Sequence, residues 1–424
     1  MSNKRKFNML AATIGMTLSV LPAISHAADK QLTVWAWDPN FNISIMEKAK
    51  DIYAKDHPDV KIKVEDFAKP DLEQKMHTVL ASGMTDSLPD IVLIEDYNAQ
   101  KFLTSYPDAF SPMDGAVDYK EFSPYKTQLM TVNGHTYGMP FDSGVTGLYY
   151  RRDIIAAAGI KPEDLNNITW DRFIELGKQV KAKTGKAMLS DDPSDPNMVR
   201  ILMQSAGTWY FKPDGSLNIK DNAALKEALR LQKAMVDAGI TTPSVGWSGR
   251  VSAANKGDVA TVTNGVWFIP SIKAAADQAG KWGVAPTPRL NIAGGTNYSN
   301  SGGSSWYVLS ASPNSKLAID FLNSTFSKDV GFYQRILTEN GAVGTFLKAR
   351  TGAAYQTPDS FFGGQKIYSD FATWLAKVPE VSYGQYTYEA DAVIAALLPS
   401  LYQGTPIDEV VEQIDQQLAS QIQQ

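Results

Sequence analysis

Five tryptophans fall where strands or helix caps are expected to end: Trp37, Trp209, Trp247, Trp267 and Trp306. Acids and an amide join them as a set: Asp38, Glu95, Asp96, Asp142 and Asn264. That combination suits one chemistry. An indole covers the apolar C–H face of a sugar ring, while carboxylates and amides satisfy its rim of hydroxyls through charge-assisted hydrogen bonds. Taken singly, each tryptophan is better explained by core packing. Taken together, with no nucleophile or metal ligand beside them, they point to a site that holds a sugar unchanged. The stretch VWAWDPNFN, residues 34–42, concentrates the signal. Residues two apart share one face of a strand, so Trp35 is expected to anchor the strand while Trp37 and Asp38 emerge at its end.

Other chemistries find less support. The chain has no cysteine, which excludes disulfides, thiolate nucleophiles and Cys-ligated zinc. Of four histidines, His26 lies in a leader-like segment. His57, His77 and His135 stand far apart without H-E-x-x-H spacing and read as surface or turn residues. No G-x-S-x-G elbow, phosphate loop or dinucleotide fingerprint occurs, so neither cofactor nor metal is expected. Glu95 and Asp96 close a strand, where neighbours point to opposite faces; they cannot flank one glycosidic bond unless the strand has already ended. Asp191, Asp192 and Asp195 sit in a Pro-rich loop and read as solvated.

The bulk numbers fit a globular protein of more than one domain. There are 424 residues, 44% hydrophobic and 20% charged, with a formal net charge of -5. So mild a charge gives no hint of nucleic acid or an anionic membrane surface as partner. Lys4, Arg5 and Lys6 precede an apolar run from Met9 to Leu21, too short to span a bilayer, and Ser25-His26-Ala27 fits a small-x-small cleavage site. Residues 1–27 therefore read as a secretory signal, and the mature chain as an unanchored periplasmic protein.

The elements that must position the site follow from periodicity. LTVWAW, VKIKVEDF and DIVLIEDY read as strands separated by helical patterns, which means βαβ units and a parallel sheet. Ile45, Met46, Ala49, Ile52 and Tyr53 carry the first helix, and Asp71 with Gln74 resembles a capping box for the second. Thr169 is expected to cap a helix that Gly185 stops. Asp221 precedes another that Gly239 closes, and Thr405-Pro406 opens the last. TGLYY and VATVTN supply strands between them. Residues 291–305, rich in Gly, Ser and Asn, form a loop that is either flexible or ligand-facing. No internal repeat is evident.

These segments resemble the sugar-binding extracellular solute-binding proteins of ABC importers, the family that includes maltose-binding protein. The resemblance runs over the whole mature length. LPDIVLIEDYNAQKFL, NGHTYGMPFDSGVTGLYYRRDIIAAAGI, ITWDRF, KGDVATVTNGVWFIPSIK with WGVAPTP, and YVLSASPNSKLAIDFLNSTFS occur in the family's order. WAWDPNFN is most similar to the lactose/L-arabinose-type members. ENGAVGTF lacks the family's proline after Gly-Ala, so no role is carried over to residues 341–350. The resemblance implies an α/β, two-lobe, type II-like fold with a ligand cleft between hinged lobes. It implies an N-terminal lobe of residues 28–140 plus 288–342, a C-terminal lobe of residues 141–287 plus 343–424, and crossings near Gly138–Ser143, Val284–Pro288 and Asn340–Thr345. On this reading Trp37, Trp267 and Trp306 stack on a mono- or oligosaccharide, with Trp209 and Trp247 as further candidates. Asp38, Glu95, Asp96 and Asp142 accept its hydroxyls, and Gly303 and Ser304 line the rim. A monomer delivering its sugar to a membrane permease is the implied partnership. A secreted carbohydrate-active enzyme and a binder of another solute, such as a polyamine, are the alternatives.

Overall fold

The computed structural model describes residues 30–422; the expected signal segment lies outside them. In chain order the strands are β1 (Gln31–Ala36), β2 (Lys61–Asp66), β3 (Ile91–Glu95), β4 (Thr131–Val132), β5 (His135–Thr136), β6 (Met139–Pro140), β7 (Thr146–Arg151), β8 (Leu189–Asp191), β9 (Thr241–Pro243), β10 (Thr261–Gly265), β11 (Trp282–Ala285) and β12 (Ser304–Val308). The first sheet has the order β2-β1-β3-β12-β6. Its β2-β1-β3 half is parallel, with Val34 opposite Val64 and Ile91. β12 enters antiparallel, with Trp306 opposite both Leu93 and Met139. The sheet is therefore mixed rather than wholly parallel.

The second sheet repeats this plan. β7 runs antiparallel to β10 and β11, while β8 and β9 pair in parallel. A parallel bridge between Ala187 and Val259 joins the two pieces. The resulting order, β9-β8-β10-β7-β11, matches β2-β1-β3-β12-β6 strand for strand. The sequence shows no repeat, yet the topology does. In each sheet the one antiparallel insert (β12 or β7) is the first strand after a crossing from the other lobe.

Local chemistry sets the element ends. Thr169 Oγ1 accepts from the Arg172 N–H at 3.2 Å, and the left-handed Gly185 ends that helix, Trp170–Thr184, as expected. Two caps differ from expectation. Asn222, one residue past Asp221, caps Ala223–Asp237 by accepting from Ala224 N and Leu225 N, each at 3.1 Å. The second helix starts at Lys69, because Pro70 in its first turn is already set for helical φ; Asp71 lies inside that turn. Trp35 does anchor β1: it is buried against Phe67, with the Lys75 ammonium 4.1 Å from its ring centre. Leu32, Val34 and Ala36 pack into the core on the opposite face.

Three chain segments lie side by side between the sheets. Phe141–Val145, linking β6 to β7, is the middle one. On one side Thr345 N donates to Phe141 O at 3.0 Å and Ser143 N to Val343 O at 3.1 Å. On the other, Ser301 N donates to Gly144 O at 2.8 Å and Thr146 N to Ser299 O at 3.0 Å. Gly144 has no room for a side chain, since a Cβ there would sit 1.9 Å from Ser301 O. Gly144→Ala must push these segments apart. A loss of roughly 1–3 kcal/mol is expected from overpacking of this kind, measured as a lower urea midpoint with little change in slope.

Candidate functional site

The cleft between the sheets has a volume of about 960 Å³, at the upper end of the roughly 300–1,000 Å³ that small-molecule sites occupy. It lies beyond the ends of β1, β3 and β10, the edge where open α/β sheets take ligands. Of the residues singled out from sequence, Trp37, Asp38, Glu95, Asp142, Trp247, Trp267, Gly303 and Ser304 line it.

The first lobe supplies one wall. β1 stops at Ala36, so Trp37 leaves the sheet half-buried. Asp38 follows in a left-handed conformation (φ 62°), strained for a residue with a Cβ. Its Oδ1 accepts from Asn40 N at 3.1 Å and Phe41 N at 3.2 Å, capping the helical turn Pro39–Ile43. The turn brings Asn40 and Phe41 to the cleft as well.

The second lobe supplies the facing wall. Trp267 follows β10, and its indole N–H donates to Ser301 O at 2.8 Å. Gly265 makes this possible, because a Cβ there would lie 2.3 Å from the indole nitrogen. Trp247, 48% exposed, packs beside it with ring centres 5.8 Å apart. Two large apolar rings held this way offer a broad flat surface, with one of them open to solvent.

The floor is polar. β3 ends at Glu95 and a helix, Asp96–Ser105, begins at once. Neighbouring residues at this junction diverge, as strand alternation requires. Glu95 faces the cleft and forms an ion pair with Lys69, whose ammonium also donates to Tyr388 Oη at 3.0 Å. Asp142 Oδ1 accepts from Ser304 N at 2.6 Å. Gly303 (φ 101°) bends the chain over this point, where a Cβ would meet Asp96 Oδ2 at 2.7 Å. The loop of residues 291–305 thus reaches the cleft at its end.

Four expected contacts are not brought to the cleft. Trp306 is fully buried between Phe141 and Phe326, because mid-strand in β12 it lies on the covered face of a central strand. Trp209, 1% exposed, stacks on Tyr97 at 5.7 Å, and its indole N–H donates to Thr387 Oγ1 at 2.9 Å. Asp96 turns inward to Lys126 Nζ, at 2.6 and 2.8 Å. Asn264 is buried within β10. Two other expectations also change. Asp195 pairs with both Arg200 and Arg250, and Asp192 accepts from Gly246 N at 2.6 Å, so this acidic loop is engaged rather than solvated. His77 is half-buried on a helix, stacked 4.2 Å from Phe102.

Sequence reasoning missed Phe41, Asn340 and Tyr368. Phe41 lies within VWAWDPNFN itself, two residues past the proline. Asn340 donates to Asn40 O at 3.1 Å, while its buried Oδ1 has no partner among the described residues. Tyr368 comes from a helix, Ile367–Leu375, that carries no motif.

The comparisons with known proteins agree in kind. Residues 48–362 match the model of the bacterial extracellular solute-binding protein family. The lactose-binding protein of Rhizobium radiobacter is 53% identical over 413 residues, covering 97% of this chain and 98% of that protein. The arabinooligosaccharide-binding protein of Bacillus subtilis (strain 168) is 26% identical over 74% of this chain and 73% of its own. The galacto-N-biose/lacto-N-biose I-binding protein of Bifidobacterium longum, solved with lacto-N-biose, superposes with a TM-score of 0.74 at 22% identity, covering 93% of this chain and 96% of that one. Among the described residues no helix is long and apolar enough to cross a membrane.

Three largely buried carboxyls give the fold a pH dependence. Burial pushes Asp96 up to about 7, and Asp191 and Asp391 up to about 6. Each binds its proton more tightly folded than unfolded, where an aspartate titrates near ~3.9. Their contribution to stability is therefore fully present below about pH 4 and lost as pH rises through 6 to 7. Acids held low, such as Asp153 and Asp192, act in the opposite sense only below that range. The melting temperature is expected to fall between pH 5 and pH 8; a rise would contradict this assignment.

Proposed function

The chain belongs to the bacterial extracellular solute-binding proteins, and we propose that it captures a galactoside-type mono- or oligosaccharide in the cleft for an ABC importer. The observation that carries this reading is the meeting of Trp37 and Phe41 from one lobe with Trp247 and Trp267 from the other, above a floor of Glu95, Asp142 and Ser304. Apolar rings on two walls and acceptors below match a sugar's two kinds of surface. The 53% identity to a lactose-binding protein over nearly the whole chain directs the choice toward galactosides such as lactose.

The charges favour a neutral ligand over a polyamine. Lys69 already pairs with Glu95, and Lys126 lies beneath Asp142. Glu95 therefore has its own counter-cation, and the one buried ammonium is shared between Asp96 and Asp142, which leaves the floor with less unpaired negative charge than its carboxylates alone suggest. We place the lobe boundaries at Phe141–Val145, Ser299–Gly303 and Val343–Thr345, the hydrogen-bonded strip between the sheets. The second of these lies later than the Val284–Pro288 expected from sequence, since Arg289 N donates to Ile168 O and Thr296 N to Ser205 O, keeping residues 286–298 with the second sheet. The proposed working place is the periplasm, and the proposed partner a membrane permease that receives the sugar unaltered.

Titration calorimetry against lactose, galactobiose, arabinobiose, maltose and spermidine tests the reading. Lactose or a related galactoside is expected to bind and to be recovered intact. Trp267→Ala is expected to lose about 1–3 kcal/mol of binding, one to two decades in Kd. Trp306→Ala is expected to lose roughly 3–5 kcal/mol of stability instead, with affinity retained in the folded fraction. Binding of spermidine alone, or consumption of the sugar, would overturn the proposal.

A further inference from the structure

Beneath the cleft floor sits a charge that the binding site does not touch. Lys126, on the short helix Pro124–Leu129, is 0% exposed. Its ammonium donates to both oxygens of Asp96 and, at 2.8 Å, to the carbonyl of Ser304. Ser304 in turn presents its N–H to Asp142 Oδ1, and Gly303 O accepts from Asp96 N at 2.9 Å. One buried cation thus ties together the two-residue edge of the floor and the acid beside it. Asp142 also lines the cleft.

We infer that Lys126 is a positioning residue of the ligand site: its ammonium fixes the Gly303–Ser304 edge and favours the charged form of the adjacent Asp142 carboxylate, which faces the cleft. The inference rests on the cleft being the ligand site. A buried ammonium with three acceptors leaves no donor idle and cannot swing away without stranding Asp96. Its placement under Ser304 rather than in the cleft lets it act on Asp142 without competing for the ligand. The groups facing Asp142 are Lys126 from its helix, Glu95 and Asp96 from the end of β3, and the phenols of Tyr125 and Tyr333. Lys126 is the one cation in this set. Burial alone pushes the Asp142 carboxyl up, Lys126 is the strongest opposing influence, and Glu95 adds to the upward push. Without the ammonium, burial and Glu95 would push the Asp142 carboxyl further up, toward the protonated form that donates rather than accepts.

Removing Lys126 alone would strand Asp96, so the pair is replaced together. The test compares Asp96→Asn, which keeps the ammonium, with the double variant Asp96→Asn/Lys126→Met. The Asp142 carboxyl is followed by carbon-detected NMR of aspartate-labelled, ligand-free protein, its signal identified by its absence in Asp142→Asn. Lactose affinity is measured by calorimetry between pH 5.5 and 8.5 in parallel. The double variant is expected to titrate Asp142 at least one pH unit higher than Asp96→Asn does. Its affinity is expected to fall about tenfold for each pH unit below that midpoint, because the ratio of protonated to charged carboxyl rises tenfold over the same interval. Restoring the charge in Asp96→Asn/Lys126→Arg should return the midpoint most of the way. Equal midpoints in the two variants would overturn the inference, however much their melting temperatures differ. Should lactose not bind the wild-type chain, the proposed ligand fails, while the NMR midpoints still decide the role of Lys126.

Discussion

Three passes of one chain must share a strip between two sheets, and every backbone group in that strip must find a partner. The middle pass, Phe141–Val145, meets this demand by bonding to Val343–Thr345 on one side and Ser299–Ser301 on the other. The strip fixes where β7 and β12 enter their sheets, and so gives both sheets the same strand order. It forces glycine at position 144, where another backbone lies too close for any side chain. It also delivers Asp142, Gly302, Gly303 and Ser304 to the floor of the cleft from segments far apart in sequence. The strip is tied into the core as well, through Phe141, Val145 and Val343, which are buried in it.

The charges near the strip divide into two layers. Facing the cleft are Glu95 and Asp142, each with an acceptor atom to offer. Below them lie Asp96 and Lys126, bonded to one another and shut off from solvent. A buried pair of this kind is a weak source of stability, because desolvating both charges offsets most of their attraction. Its value here is geometric, since Lys126 reaches Ser304 and Ser304 reaches Asp142. Aromatic residues divide likewise. Trp37, Trp247 and Trp267 face the gap. Trp209 and Tyr97 stack on each other instead, one from each half of the molecule, with the Arg200 guanidinium 4.9 Å above the Tyr97 ring.

The legible part of the fold was the part governed by local rules. Period-two and period-3.6 patterns located β1 to β3 and their helices, and Thr169 marked a cap because its hydroxyl competes for backbone N–H groups in any context. Trp37 and Asp38 were legible for the same reason: a strand that runs into Asp-Pro-Asn must end there and release its last side chains from the sheet. Trp306 was not, because no local pattern signals that β12 inserts between β3 and β6, and that insertion alone decides whether its face is covered. Trp209 was misplaced for a related reason, as its neighbours Tyr97 and Tyr383 lie more than a hundred residues away on either side. Glu95 and Asp96 show the limit from both directions. Alternation correctly separated them, yet nothing local said that a lysine 30 residues on would claim Asp96.

Indoles on two walls and acids on the floor surround the cleft proposed to hold a single sugar. A crystal structure of the chain with bound lactose is the decisive measurement. The expected result is a pyranose face against Trp267 or Trp247, ring oxygens or hydroxyls within hydrogen-bond distance of Asp142 and Glu95, and the strip of three crossings intact. A sugar bound elsewhere, or bound in the cleft with all three cleft indoles out of contact, would contradict it.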